Sequence, residues 1–281
     1  MSSGVLYVVA TPIGNLGDLS PRAVEVLRQV DLIGAEDTRH SVPLLQHFGI
    51  STRLQSLHDH NERQLVEQLL DRLQQGDSIA LISDAGTPLI SDPGFQLVRA
   101  CHRQHIRVSP IPGACAAIAA LSAAGIATDR FRFEGFPPRT RSARLGFYSA
   151  LANESATLLF YESSHRVKES LHDMQQVFGA ERQAVIAREL SKLHETVISA
   201  TLAELNAVLQ RDAMQSKGEF VLILEGAARN PGVLSAEAEG MLRILCESLP
   251  LKQAAQLTAR ITGERKNLLY QRALQLSADE R

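Results

Sequence analysis

The sequence predicts an α/β protein made of two α/β domains in succession, followed by a small module of helices. Three observations carry this expectation. Short β-branched runs alternate with amphipathic helical stretches in the first half; strand-like runs lie closer together after residue 126; and no strand pattern survives beyond residue 232. The chain has 281 residues, enough for roughly two ordinary domains.

In the first half, the runs 5–10 (VLYVVA), 31–37 (DLIGAED), 78–83 (SIALIS) and 106–111 (IRVSPI) read as strands, with helices beginning near Ser20, Asn61 and Gly94. Strands that alternate with helices make a mostly parallel sheet. This first domain spans 1–125 and ends in an alanine-rich helix. The second domain spans 126–228 and contains the runs 131–136, 157–162, 183–189, 195–200 and 218–225. Some of its connections are short, which points to a mixed sheet. Asn-Pro-Gly at 230–232 marks a linker. Residues 233–281 read as three helices, the last two joined by a short Thr-Gly turn with the spacing of a helix-turn-helix.

Composition narrows the function. Hydrophobic residues at 44% and charged residues at 21% exclude disorder and fibrous repeats for most of the chain. With 29 basic against 31 acidic residues the net charge is −2, so any nucleic acid must be met by a local patch rather than by the whole surface. Cys101, Cys115 and Cys246 are far apart and never in a CxxC pair, which argues against a disulfide framework or thiolate zinc site and for a reducing, cytoplasmic setting. No secretory signal pattern opens the chain. The long uncharged stretch 109–128 carries two prolines and reads as a turn and buried helix rather than a membrane span. His58 and His60 lack further ligands at metal spacing, so no metal is expected.

The densest chemical signal is Ser83 to Gly94 (SDAGTPLISDPG), a polar, glycine- and proline-constrained loop after a buried-looking strand. Such a loop lies where a parallel sheet opens its ligand crevice. Two further turns, ATPIGN at 10–15 and PIPGACAA at 110–117, belong at the same edge. None matches the dinucleotide fingerprint or the lysine-bearing phosphate loop, which points to a ligand held by backbone groups and shape. AEDTRHS (35–41) reads equally as a salt-bridged turn or a substrate site, and RELSKLHE (188–195) as a charged link between strands or as part of a site. In YESSHRV (161–167), Ser163 or Ser164 suits a helix N-cap; a hydrolase pair is disfavoured because no GxSxG elbow is present. Arg139, Arg141 and Arg144 in FPPRTRSAR form a candidate phosphate-facing loop, and Lys252, Arg260, Arg265, Lys266 and Arg272 make the last two helices basic.

Taken in order, TPIGN, SDAGTPLISDPG, PGACAA, FYESSHR and ARELSKLHE resemble the tetrapyrrole methylase superfamily, and within it the branch acting on the 2′-oxygen of a small-subunit ribosomal RNA cytidine. The resemblance runs from residue 4 to 226, and the helical tail is similar to the extension of that branch. It implies a homodimer with S-adenosylmethionine in a cleft between the two α/β domains. Carried over, the cofactor-binding residues are Pro12, Ile13, Ala85, Gly86, Thr87, Ile90, Cys115, Ala116, Tyr161, Glu162, Leu190 and Phe220. Two positions depart from the wider superfamily, which tends to have Asp where this chain has Thr87 and Ser or Thr where it has Cys115. Methyl transfer to a hydroxyl needs alignment and a proton acceptor. The catalytic candidates are Asp84, Glu162, Glu36 and Lys192, with Asp37, Asp92 and Glu189 as further acidic neighbours. The RNA-binding candidates are Arg139, Arg141, Arg144, Arg265 and Lys266, and the expected partner is 16S ribosomal RNA within the small subunit, with no membrane and no metal. Two other classes stay open: a methyltransferase of the same fold acting on a tetrapyrrole or a protein, and a non-enzymatic RNA-binding protein.

Overall fold

The structure is a computed structural model that describes residues 4–58, 62–212, 216–228, 234 and 236–279. The chain divides into two compact units, Met1–Gly226 and Ala227–Arg281.

The larger unit contains two five-stranded sheets among its described residues. The first is built from β1 (Val5–Val9), β2 (Leu32–Ala35), β3 (Leu54–Ser56), β4 (Ile79–Ile82) and β5 (Arg107–Ile111), in the order β3-β2-β4-β1-β5. All its pairings are parallel. The helices between them are α1 (Pro21–Gln29), α2 (Thr38–His47), α3 (Glu62–Gln74) and α4 (Phe95–Arg103). Every residue of β2 and β4 is buried, and alternate side chains enter opposite cores. Ile33 and Ala80 join Val9 and Leu27 on one face, whereas Leu32 and Leu81 join Leu6 and Leu73 on the other. Helix α1 starts where expected, with Ser20 accepting from the Ala23 amide and Pro21 in the first turn.

Two elements of this sheet were not expected. Strand β3 is only three residues long, at an edge. Helix α2 occupies the AEDTRHS segment and carries Pro43 in its interior, which breaks the usual helix pattern. Asp37 nonetheless caps it, accepting from the Arg39 amide.

The second sheet holds β6 (Phe131–Phe133), β7 (Thr157–Ser163), β8 (Gln183–Arg188), β9 (Thr196–Thr201) and β10 (Glu219–Leu224), in the order β6-β7-β10-β8-β9. Only β6 and β7 run parallel; the other neighbours are antiparallel, so the sheet is mixed as expected. One face is covered by α6 (Arg141–Ala150), α7 (Val167–Phe178) and α8 (Leu202–Arg211), whose Tyr148, Leu171 and Leu205 meet Phe160, Ile186 and Leu222. The opposite face takes the alanine-rich helix α5 (Ala116–Ala123), where Ala117, Ala120 and Leu121 lie on Leu159, Val185 and Val221. Small side chains let this helix come close to the sheet. Its buried face thus belongs to the second sheet, although its sequence continues directly from the first. The residue before α7 is Arg166 and no side chain caps that helix, so neither Ser163 nor Ser164 is its N-cap.

The smaller unit consists, among described residues, of α9 (Ala236–Ser248), α10 (Leu251–Thr262) and α11 (Lys266–Asp279) around Ala238, Leu242, Ala254, Ala255, Leu269 and Ala273. Gly263 takes the left-handed conformation, φ 73°, that ends α10. No helix among the described residues is long and apolar enough to cross a membrane.

Candidate functional site

Three loops meet at the carboxyl edge of the first sheet and are joined by hydrogen bonds. Thr11 and Gly86 exchange backbone bonds of 2.9 and 3.1 Å. The Thr11 hydroxyl donates to Ser83 O at 3.1 Å, and the Thr87 hydroxyl to Ala114 O at 2.9 Å. Gly86 sits at φ +86°, a conformation that favours glycine, and a Cβ there would lie 3.3 Å from Ile13 Cγ2, a tight contact. Leu89 and Ser91 in the same loop, and Glu189 and Ser191 in the turn after β8, also have positive φ. Strained non-glycine backbone in two facing turns is the kind of feature that gathers at ligand sites.

Those turns border a cavity of about 490 Å³. The first-sheet loops contribute Ile13, Glu36, Asp84, Ala85, Gly86, Thr87 and Ile90. Helix α5 contributes Cys115 and Ala116 from its N-terminal end, and the second sheet contributes Tyr161, Glu162, Leu190 and Phe220. Of the twelve residues expected to hold a cofactor, therefore, only Pro12 is not part of the wall. Asp92, expected as an acidic neighbour, is also in the wall, whereas the expectation missed Ser91, Phe136, Ser163, Ser164, Ala187, Gly218, Glu219 and Val221. The register of β10 held a signal for some of them, because Phe220 pairs with both Glu162 and Arg188 and so places Glu219 and Val221 beside the same opening.

The polar groups of the wall are held in definite states. The Glu162 carboxylate is buried; it accepts from the Ser163 amide at 2.9 Å and from Arg166 Nη2 at 3.0 Å. Arg166 also donates to Pro137 O at 2.6 Å, so one guanidinium ties the wall to the start of the arginine-bearing loop. The Tyr161 hydroxyl accepts from the Ala117 amide at 3.2 Å, and burial pushes its pKa up to about 12, which keeps it neutral. Asp84 accepts from the Asp37 amide at 3.0 Å through one oxygen and contacts His40 Nδ1 at 2.9 Å through the other. The hydrogen bonds from Arg39, side chain first and then backbone, hold the Asp37 carboxyl well below the usual range.

Two expectations about charged residues are corrected. Lys192 does not line the cavity: its ammonium lies 3.0 Å from Glu189 and 2.9 Å from Glu219, one carboxylate behind the wall. Burial alone would lower its pKa, but the hydrogen bonds to Glu219 and Glu189 outweigh it and the net shift is upward. Arg144 does not face solvent. It is 1% exposed and lies against Asp173, equally buried, at 2.7 Å, because α6 turns it inward beside Tyr148. Arg141 also leans on Asp173, at 3.1 Å, with most of its surface exposed. Arg139, Arg265 and Lys266 are exposed, whereas Arg272 is taken up by Glu239 of α9. His60 lies outside the described residues, and among those described no group of His, Cys, Asp or Glu is placed to hold a metal ion.

Known proteins match both units. The family model for Tetrapyrrole (Corrin/Porphyrin) Methylases matches residues 5–206, and the model for the RsmI C-terminal HTH domain matches 232–277. The chain is 57% identical to Ribosomal RNA small subunit methyltransferase I of Pseudomonas aeruginosa, over 98% of both chains. It is 54% identical to the protein of the same name from Escherichia coli O157:H7, over 98% of this chain and 96% of the other. Among solved structures, a diphthine synthase superposes with TM-score 0.59 at 16% identity, covering 79% of this chain and 90% of that one. A cobalt precorrin-4 methyltransferase superposes with TM-score 0.58, also at 16% identity, covering 79% and 94%. At that identity the structural likeness speaks for the fold alone, while the full-length sequence matches go further. The chain belongs to the tetrapyrrole methylase family, in its ribosomal RNA small subunit methyltransferase I branch.

Proposed function

We propose that this chain transfers a methyl group from S-adenosylmethionine to the 2′-oxygen of a cytidine in 16S ribosomal RNA, acting as a cytoplasmic homodimer on the small ribosomal subunit. The observation that carries the reading is the cavity itself. It is walled by three stitched loops on one side and by β7, β10 and the strained turn after β8 on the other, in a chain whose full-length relatives bear that methyltransferase name.

The residues present fit the donor. The cavity volume lies within the range of about 300–1,000 Å³ usual for small-molecule sites. Ile13, Ile90, Leu190 and Phe220 give it apolar walls for an adenosine, and Thr87 leaves backbone groups of its loop in place by donating its own hydroxyl to Ala114. When bound, S-adenosylmethionine supplies an electrophilic methyl group on a positively charged sulfur. Asp84, Glu36 and Glu162 put acidic side chains on the wall, where a cation is tolerated. Arg166 neutralises Glu162 and holds the loop at Pro137, so the same residue orders the approach to the cavity. Exposed Arg139, Arg265 and Lys266 are suited to phosphates, consistent with recognition by RNA shape and backbone more than by base edges.

The test is to incubate the protein with methyl-labelled S-adenosylmethionine and small ribosomal subunits and then map the label. Label on one ribose 2′-oxygen of 16S RNA is expected. Label found only in protein, or none in RNA, refutes the assignment.

A further inference from the structure

We propose that His40 is the general base of this reaction, its imidazole oriented by Asp84 so that Nε2 is free to take the proton of the ribose hydroxyl. The inference rests on the methyl-transfer reading above.

A hydroxyl oxygen that gains a methyl group must lose its proton, and two of the wall carboxylates, Glu162 and Asp84, are poorly placed to take it. Glu162 is buried and already accepts from Arg166 and from the Ser163 amide. Each oxygen of Asp84 is engaged as well, Oδ1 by the Asp37 amide at 3.0 Å and Oδ2 by His40 Nδ1 at 2.9 Å. His40 differs from both. It lies in the first turn of α2, one hydrogen bond from the cavity wall, with 70% of its side chain exposed toward solvent. An ionised carboxylate only accepts, so the neutral ring carries its hydrogen on Nδ1 and a lone pair on Nε2. Nε2 has no hydrogen bond among the described residues.

The pair is held by backbone. Asp37 caps α2 and presents its own amide to Asp84, which fixes the carboxylate between the end of β4 and the start of α2. The charged groups around the imidazole are Asp84 from the loop after β4, and Asp37 and Arg39 from the start of α2. The hydrogen bond and charge of Asp84 raise the histidine pKa, Asp37 adds to this, and Arg39 opposes it. In the step, the hydroxyl proton moves to Nε2 while the 2′-oxygen forms its bond to the methyl carbon. The carbon–sulfur bond breaks with its electron pair going to sulfur, and the imidazolium later returns its proton to water.

The experiment compares the full chain with His40→Gln and Asp84→Asn by three readouts. These are the histidine tautomer and titration by nitrogen NMR without RNA, S-adenosylmethionine affinity by calorimetry, and single-turnover methylation of small subunits against pH. His40→Gln is expected to slow the single-turnover rate about 100-fold or more, the usual share of a general base, with donor affinity within about twofold. In the wild type, the rate should rise with pH along the deprotonation of His40 seen by NMR. Asp84→Asn should move both curves to lower pH together. A His40→Gln rate within about threefold of an active wild type, or an acid limb that ignores Asp84→Asn, overturns the base alone. A wild type that methylates no ribosomal RNA overturns the underlying reading and the base with it.

Discussion

Replacing Arg144 by Met separates an interior role for this arginine from a phosphate-facing one. In the structure the guanidinium lies 2.7 Å from Asp173, and both side chains are 1% exposed. It also donates to Arg139 O at 3.3 Å and reaches Glu169 at 3.4 Å. Removing one partner of a buried pair typically costs about 3–5 kcal/mol, because the remaining charge stays desolvated. Arg141 still contacts Asp173 at 3.1 Å, so the lower end applies. For a unit of this size, about 3 kcal/mol corresponds to a melting temperature lower by roughly 6–12 °C. Arg144→Met with Asp173→Leu should recover most of that loss, since an apolar pair leaves no buried charge. Calorimetric melting gives the stability, and filter binding of ribosomal RNA over a salt series gives the other half of the contrast. Arg139→Ala should leave melting unchanged, weaken RNA binding, and reduce the log-log salt slope by about 0.7–0.9. A normal melting temperature in Arg144→Met combined with weakened RNA binding would refute the interior assignment.

Gly86→Val should abolish S-adenosylmethionine binding in calorimetry while unfolding stays cooperative. The positive φ costs roughly 1–2 kcal/mol for a residue with a Cβ, and the new side chain crowds Ile13, itself part of the cavity wall. Glu162→Gln should lower turnover more than donor affinity, by on the order of 2–4 kcal/mol in the barrier, read as kcat against Kd. Truncation after Gly226 removes the helical unit but none of the cavity wall, so donor binding should persist while RNA affinity and its salt dependence both fall.

The parallel order of the first sheet, the mixed second sheet and the helical tail were legible because buried strands read as continuous Val, Ile and Leu runs, as in 79–82 and 219–224. Strand β3 was not, since three residues at a sheet edge carry no periodicity. Helix α2 was hidden by Pro43 and by a polar start that reads equally well as a turn. Within the site, glycines and prolines announced the three loops, but contacts across a sheet leave no local mark. Phe136 and Glu219 reach the cavity only through pairing and turn geometry, and Arg144 enters the core only because Asp173 waits there, 29 residues later. His40 was visible as one member of a charged cluster, whereas its pairing with Asp84 joins positions 44 apart in sequence.

The order β6-β7-β10-β8-β9 has a consequence for biosynthesis. The last strand to be made is the central one, and it hydrogen-bonds to β7 on one side and β8 on the other. Until residue 224 has left the ribosome, those two strands expose edges of unpaired backbone N–H and C=O groups that template aggregation. Because β10 also supplies Glu219, Phe220 and Val221 to the cavity, closing the sheet and completing the binding site are one event. A chain interrupted before Glu219 is therefore not a weakened enzyme but a sticky intermediate without a donor site, and holding such nascent chains in solution falls to chaperones rather than to ligand binding.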